Sequence, residues 1–287
     1  MTGVAIIGAG RLGTSLGRAL AEKGCPILWI TDRKPAAARE SRRIIGQGRA
    51  TSDTARAAEA GIIVIAVPDE EIERTARALS KAAAAWPGKV VLHTSGILSS
   101  AALAGLRSKG AACASFHPVQ SFPRKDMPAA HFKNIVIALE GDAAALSPGK
   151  RLIHLLGARP YFLRARDKAF FHAACSMASN LFVPLFEMAR TLLGGIGIKG
   201  AEATKILLPL VAGTLQSVKH FDGADALTGP ISRGDVETVK KHLEALKRYP
   251  SARRAYQVLG AEALRLARKK GLPSGKFKAL KEMMPGG

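Results

Sequence analysis

A chain of 287 residues is long enough for two domains, and its 47% apolar share is that of a globular protein rather than a disordered one. The formal charge of +21 is spread out, with 13 basic against 5 acidic residues from Asp235 onward and the remaining +13 before it. No block of five or six like charges and no aromatic-studded basic stripe accompanies it. This disfavours a nucleic-acid surface and favours a solvated basic one, and an attraction for phosphate-bearing small molecules is compatible with either.

Cys25, Cys113 and Cys175 are odd in number and never form a CxxC pair, which argues against a disulfide framework or a zinc site and fits a reducing cytoplasm. Val4-Ala5-Ile6-Ile7 follows the opening Met almost at once, with no basic region or cleavage site, so no secretory signal is expected.

Taken in chain order, short apolar runs at 3–7, 27–30, 62–67, 90–93, 111–116 and 135–139 lack polar alternation. Strands of a parallel sheet buried on both faces read this way, and helical patterns such as 14–23 and 70–84 lie between the earlier ones. Strand and helix in alternation predict a doubly wound α/β sheet.

The first run opens VAIIGAGRLGTSLGRAL, in which Gly8, Gly10 and Gly13 satisfy GxGxxG between a strand and a helix. The first glycine permits a tight turn, the second a close approach of backbone to a pyrophosphate, and the third helix–strand packing. The backbone from Gly8 through Ala9, Gly10, Arg11, Leu12 and Gly13 is therefore the expected phosphate cradle at a helix N-terminus.

The second strand ends in Thr31-Asp32-Arg33-Lys34. An acid there suits the ribose hydroxyl of NAD, whereas the neighbouring cations suit the 2′-phosphate of NADP. Both are present; the expectation is NADP, with NAD the alternative. The third strand ends in Ala66-Val67-Pro68-Asp69: Val67 and Pro68 are expected beside the cofactor, and Asp69 is expected to cap a helix from Glu70. The next two strands end in His93-Thr94-Ser95-Gly96 and in Phe116-His117-Pro118. Polar groups at strand ends are where this architecture holds nicotinamide and substrate, so Thr94 is read as a cofactor contact and Ser95 and His117 as substrate contacts.

After Tyr161-Phe162-Leu163 only long helical patterns remain, at about 167–194, 199–220, 235–249, 252–270 and 275–284. The expected domains are therefore 1–164, the dinucleotide-binding α/β domain, and 165–287, an all-α domain. Residues 169–186 carry no formal charge, near the length of a membrane-spanning helix, but His172, Ser176, Ser179, Asn180 and Pro184 favour a buried helix. His172, Ser176 and Ser179 fall at i, i+4 and i+7, one face of that helix, with Asn180 at its flank. Such a stripe implies hydrogen-bond partners, either other helices or a ligand, and imidazole suits proton transfer near neutrality.

Further on, LTGPISRGDVETVKKH contains an Arg-Gly-Asp tripeptide. Without an export signal an adhesion role has no support. Gly229-Pro230 is expected to set a turn, with Ser232 or Asp235 capping a helix over 236–247.

The segments GAGRLGTSL, AVPD, HTSG, FHPVQSF, FFHAACSMASN and ALTGPISRGDVETVKKHLEAL together resemble a family of NADP-dependent oxidoreductases. Its members join a Rossmann-like domain to a helical C-terminal domain catalogued as of unknown function. More distantly, the chain is similar to pyrroline-5-carboxylate reductase, ketopantoate reductase, 6-phosphogluconate dehydrogenase and prephenate dehydrogenase.

The resemblance implies that the first long helix of the second domain supplies residues to the nicotinamide cleft, with His172 and Asn180 in catalytic roles and Ser176 beside the substrate. It also implies that the turn carrying Thr228 and Arg233 faces that cleft and contacts substrate. No Lys is read where the hydroxyacid dehydrogenases place their catalytic Lys on the helix, so their mechanism does not carry over intact.

The function expected is hydride transfer between NADP(H) and a small carbonyl, imine or hydroxy substrate, ketopantoate-type reduction being one candidate. The alternative is a non-catalytic NADP(H)-binding sensor or scaffold. The long apolar helices of the second domain point to a homodimer, and the cysteines and charge distribution to a cytoplasmic protein without metal, membrane or nucleic-acid partner.

Overall fold

The computed structural model describes residues 3–82 and 86–284. They divide into two compact units, one ending at Met177 and one beginning at Ala178.

In the first unit the chain runs β1 (Val4–Ile7), α1 (Arg11–Glu22), β2 (Ile27–Thr31), α2 (Pro35–Ile45), β3 (Arg49–Thr51), β4 (Ile62–Ile65), α3 (Asp69–Ser80) and β5 (Val90–His93). It continues through α4 (Ala104–Arg107), β6 (Ala112–Pro118), β7 (Val136–Gly141), α5 (Ala143–Leu155), β8 (Arg159–Phe162) and α6 (Lys168–Ala178). The eight strands form one sheet in the order β3-β2-β1-β4-β5-β6-β7-β8.

The apolar strands are explained by helices on both faces. Val4 and Ile6 of β1 join one core cluster with Leu16, Leu20 and Leu152, while Ala5 and Ile7 join another with Ile72, Leu79 and Leu106. A strand covered on both sides has no polar face to alternate.

Pairing is parallel from β3 through β6, as expected, but β6 pairs antiparallel with β7 before β8 returns to parallel. The reason lies in the connection. A parallel return needs a long crossover, usually a helix. Residues 119–135 instead carry one short 3-10 turn, Ala129–Phe132, and run alongside α1. There the Ser15 hydroxyl donates to the carbonyls of Arg124 and Lys125, and the Arg18 guanidinium donates to the Asp126 carbonyl.

The helix expected over 70–84 begins one residue early, at Asp69, so Asp69 is not its cap. Pro68 holds that position without a side-chain bond, and Asp69, Glu70 and Glu71 place negative charge in the first turn, where the helix dipole favours it. Its far end, at Ala84, lies outside the described residues.

The second unit is helical: α7 (Phe182–Gly194), α8 (Gly200–His220), α9 (Gly223–Ala226), α10 (Gly229–Arg233), α11 (Val236–Ala245), α12 (Pro250–Lys269) and α13 (Ser274–Glu282). Its core cluster is Val239, Leu243, Leu264, Leu280 and Met284.

The Arg-Gly-Asp tripeptide is a helix-to-helix joint. Arg233 closes α10 and Gly234 takes the left-handed conformation, φ 68°. Asp235 then caps α11, its Oδ1 accepting the Thr238 N–H at 3.1 Å while its Oδ2 accepts the Thr238 hydroxyl at 2.8 Å. Those two bonds hold the Asp235 carboxyl below its ordinary range. Ser232 is not the cap: its hydroxyl donates back to the Leu227 carbonyl.

The run expected as one buried helix over 167–194 departs most from expectation. It is two helices, α6 and α7, separated at 179–181, so Ser179 lies beyond α6 and off the face shared by His172 and Ser176. Nor is it buried. The run is long and apolar enough to cross a membrane by length and composition, yet no residue of its most apolar window is fully buried. Phe170 is 83% and Met177 68% exposed. Apolar composition states that a face needs covering, not that the same chain covers it.

Candidate active site at the carboxyl edge of the sheet

Two groups of residues gather where the parallel strands end, both within the first unit. One surrounds the glycine loop. Gly8 has φ +105°, and a Cβ there would meet the Ala66 carbonyl oxygen at 2.4 Å; at Gly13 a Cβ would stand 2.1 Å from the Gly8 oxygen. These two glycines are required by close backbone packing. Gly10 differs, because a Cβ there would meet nothing within 4 Å. The open side of the loop at Gly10 faces a crevice of about 440 Å³ that Gly8, Asp32, Arg33, Lys34, Val67 and Pro68 also line.

Helix α1 starts here with Gly10 in the cap position, no side-chain cap and no acid in its first turn. Unfilled N–H groups and the positive end of the helix dipole therefore meet open space, an arrangement suited to a phosphate. The residues present fit a dinucleotide.

Asp32 serves the loop itself. Its Oδ2 accepts the Ala9 N–H and its Oδ1 the Lys34 N–H, both at 2.9 Å. Each oxygen is thus already engaged, while the Arg33 side chain is 73% exposed and makes only a 3.4 Å contact with Glu71. Arg11 is exposed and Leu12 half-buried on the first turn. Thr94, expected beside the cofactor, is buried at the end of β5, with its N–H bonded to the Ile65 carbonyl, and is not among the residues lining the crevice.

The second group joins the ends of β5 and β6 to the start of α6. Lys168, the first residue of α6, is 1% exposed. Its ammonium donates to the Ser115 hydroxyl at 2.7 Å and to the Ser95 carbonyl at 3.3 Å, and the Ser115 hydroxyl donates to the same carbonyl. Ion pairing accounts for none of this: no salt bridge to Lys168 is present among the described residues, and burial pushes its ammonium below the ordinary range.

His93 is fully buried, with Nε2 against the Ser99 carbonyl at 3.0 Å and Nδ1 accepting the Ser95 N–H at 3.2 Å. Those partners require the neutral Nε2–H tautomer. Burial, with a smaller contribution from Lys168, lowers His93 to about 4. His117 is also pushed down to about 4, by burial first and then by Lys168 and His172. Its Nδ1 is buried without a hydrogen-bond partner.

The His172 ring stands edge-on to His117 at 5.7 Å between centroids. Gly96 makes that possible, because a Cβ there would lie 2.3 Å from His172 Cδ2 and 2.9 Å from His117 Nε2.

The structure thus brings together Ser95, His117 and His172 of the expected residues. Ser176 lies one turn further along α6 and is half-buried; Asn180 sits in the turn after α6, in the second unit. Thr228 precedes α10 and Arg233 ends it, both exposed on the second unit. Sequence reasoning missed Lys168 and Ser115. One signal pointed to Lys168: it and His172 are i and i+4, one face of a helix. Chemically, the cluster pairs a buried cation with neutral imidazoles at the strand ends, a setting in which perturbed groups commonly serve proton transfer.

Two family models match the chain: a Rossmann-like domain over residues 2–118 and the domain of unknown function DUF2520 over residues 135–263. No curated protein matches it by sequence. Among solved structures it is similar to a protein of Bacteroides fragilis provisionally named an NADP oxidoreductase, with 24% identity, TM-score 0.75 and coverage of 91% of this chain and 97% of that one. It is also similar to a protein of Thermotoga maritima, with 23% identity, TM-score 0.69 and coverage of 93% and 99%. A reductive aminase of Aspergillus terreus, solved with NADPH and ethyl levulinate, matches at 16% identity and TM-score 0.65, covering 98% and 99%. At these identities the likeness is one of fold.

Proposed function

Because the chain joins a Rossmann-like domain to a DUF2520 domain, we propose that it is an oxidoreductase transferring a hydride between NADP(H) and a small carbonyl, imine or hydroxy compound. One observation carries this reading: a single sheet edge holds both an uncapped, glycine-lined helix start and a buried Lys–Ser–His cluster. In a doubly wound sheet that edge is where dinucleotide and substrate meet.

The backbone from Gly8 to Gly13 would hold the pyrophosphate. Arg33 and Lys34 would hold a 2′-phosphate, a preference supported by the exposed Arg33 side chain and by Lys34, both lining the crevice. The bound nicotinamide would supply or accept the hydride. His172, half-buried beside His117, is the proton donor in this reading. Ser95 and His117 orient the substrate, as does Ser176. Lys168 is a positioning residue, tying the end of β5 to β6 beneath the two imidazoles through Ser95 and Ser115. Reduction of a keto acid of the ketopantoate type or of an imine falls within this chemistry; the imine is supported by the fold shared with the reductive aminase.

Titration of NADPH and NADH, followed by nicotinamide fluorescence, tests the cofactor. Binding of NADPH is expected, with Arg33→Ser weakening it about tenfold, a loss of about 1.4 kcal/mol, and leaving NADH unchanged. No response to either nucleotide overturns the reading. A panel of keto acids, imines and aldehydes, monitored by nicotinamide absorbance, tests the reaction. Tight binding with no turnover across that panel reduces the protein to a nucleotide sensor.

A further inference from the structure

Resting on the hydride-transfer reading above, we propose that the substrate is a carbonyl compound, neutral or anionic, and that the site rejects imines, which react as iminium cations. The sign of the charge beneath the site decides between the two. Lys168 is 1% exposed, and its ammonium donates to the Ser115 hydroxyl at 2.7 Å and to the Ser95 carbonyl at 3.3 Å. Ser115 spends its own proton on that same carbonyl, so its oxygen accepts from Lys168. Both partners are dipoles, and neither neutralises the ammonium. Its charge reaches the imidazoles: burial lowers His93 and His117 first, and Lys168 lowers both further.

Negative charge is withheld from the same place. Among the described residues no salt bridge joins a carboxylate to Lys168, His93, His117 or His172. Burial lowers the Lys168 ammonium first, and the carboxylates that act against this are Glu140 and Asp69. Both Glu140 oxygens are taken, one by the Ser100 N–H at 2.7 Å and one by the Ser100 hydroxyl at 2.8 Å. Asp69 stands exposed in the first turn of α3, where the helix dipole and solvent meet its charge.

The two reductions ask opposite things of such a field. In a carbonyl reduction the hydride adds to carbon and the π pair moves onto oxygen. Negative charge grows there until the oxygen takes a proton from protonated His172. The products are the alcohol, neutral His172 and the oxidised nicotinamide. A buried cation lowers that barrier, because the charge develops near it in a setting of low dielectric. An iminium instead begins with a positive charge and loses it as the hydride adds. Binding it near Lys168 sets like charges together without a paired carboxylate to offset them. The same field lowers the pKa of a bound imine and so favours its less reactive neutral form.

The test compares, with NADPH and the full chain, the keto acids and aldehydes of the panel against its imines. Cyclopentanone and 2-methyl-1-pyrroline serve as a ketone and an imine of matched size. The carbonyl compounds are expected to exceed the imines in kcat/KM by about tenfold or more, and Lys168→Met to shrink that ratio about tenfold. A second measurement needs no nucleotide. The His117 ring, followed by NMR, should titrate above its value of about 4 once Lys168→Met removes the neighbouring charge. Imines turned over as fast as carbonyl compounds, a ratio unmoved by Lys168→Met, or an unmoved His117 titration overturns this choice of substrate and leaves the oxidoreductase reading standing. Turnover of neither class overturns that reading, and the choice of substrate falls with it.

Discussion

Every side chain of β1 in the first unit is buried, whereas along α8 of the second unit one residue in 21 is. Both elements are apolar, and they differ in what the chain provides around them. β1 lies between β2 and β4 with helices over both faces; α8 has partners within its chain along a single strip. The first unit therefore fixes its crevice and its Lys–His cluster before any ligand arrives, on strands that cannot shift without opening a close-packed core. The second unit leaves apolar side chains along α7 and α8 exposed.

The contrast can be broken most severely at Gly13. Gly13→Val would drive a Cβ into the Gly8 carbonyl, 2.1 Å away, and should abolish NADPH binding, with an affinity loss beyond a hundredfold, about 2.7 kcal/mol. Fluorescence titration reads it, and near-wild-type affinity would show that the loop is not a rigid cradle.

Next in size is the response to acid. His93 ionises at about 4 in the folded chain and near 6.5 when unfolded. The unfolded state therefore binds the extra proton between those values, so stability is intact above pH 6.5 and is lost as pH falls toward 4, by on the order of 3 kcal/mol. Urea titrations across that window should show the decline, and His93→Gln should reduce it to the share that His117, also lowered to about 4, contributes. A stability that stays level from pH 6.5 to 4 would mean that His93 is not held neutral.

Lys168→Met sharpens the comparison by separating function from packing. Turnover should fall about a hundredfold while NADPH affinity stays within about threefold. Stability should hold or rise, because an apolar side chain replaces a buried charge. A turnover equal to wild type would remove the cluster from the reaction.

The smallest effect belongs to the second unit. Asp235→Ala removes the α11 cap and should cost about 1 kcal/mol, a few degrees of thermal midpoint, without touching nucleotide binding. An unchanged midpoint would mean that the joint between α10 and α11 is held by packing alone.

Much of this was legible in the residues. Strand, glycine loop and helix could be read from 3–23, because each glycine there answers a local demand of backbone or ligand. The cap at Asp235 was one of two readings, and the choice between it and Ser232 turned on which oxygen reaches the Thr238 N–H. Direction and company were less legible. The run 135–139 reads as a strand, but its antiparallel sense comes from a connection pinned to α1 by Ser15 and Arg18. Lys168 reads as the charge that opens a helix, and only the fold shows it turned inward against Ser115.

The sequence by itself determined the α/β-then-helical order, the glycine loop between β1 and α1 and the apolar character of 169–186, since all three follow from interactions between near neighbours. Tertiary structure alone decided that Lys168, Ser95, Ser115, His117 and His172 share one site and that the apolar runs of α7 and α8 face outward. Long-range contacts set those outcomes, and no periodicity within a segment records which distant surface it will meet.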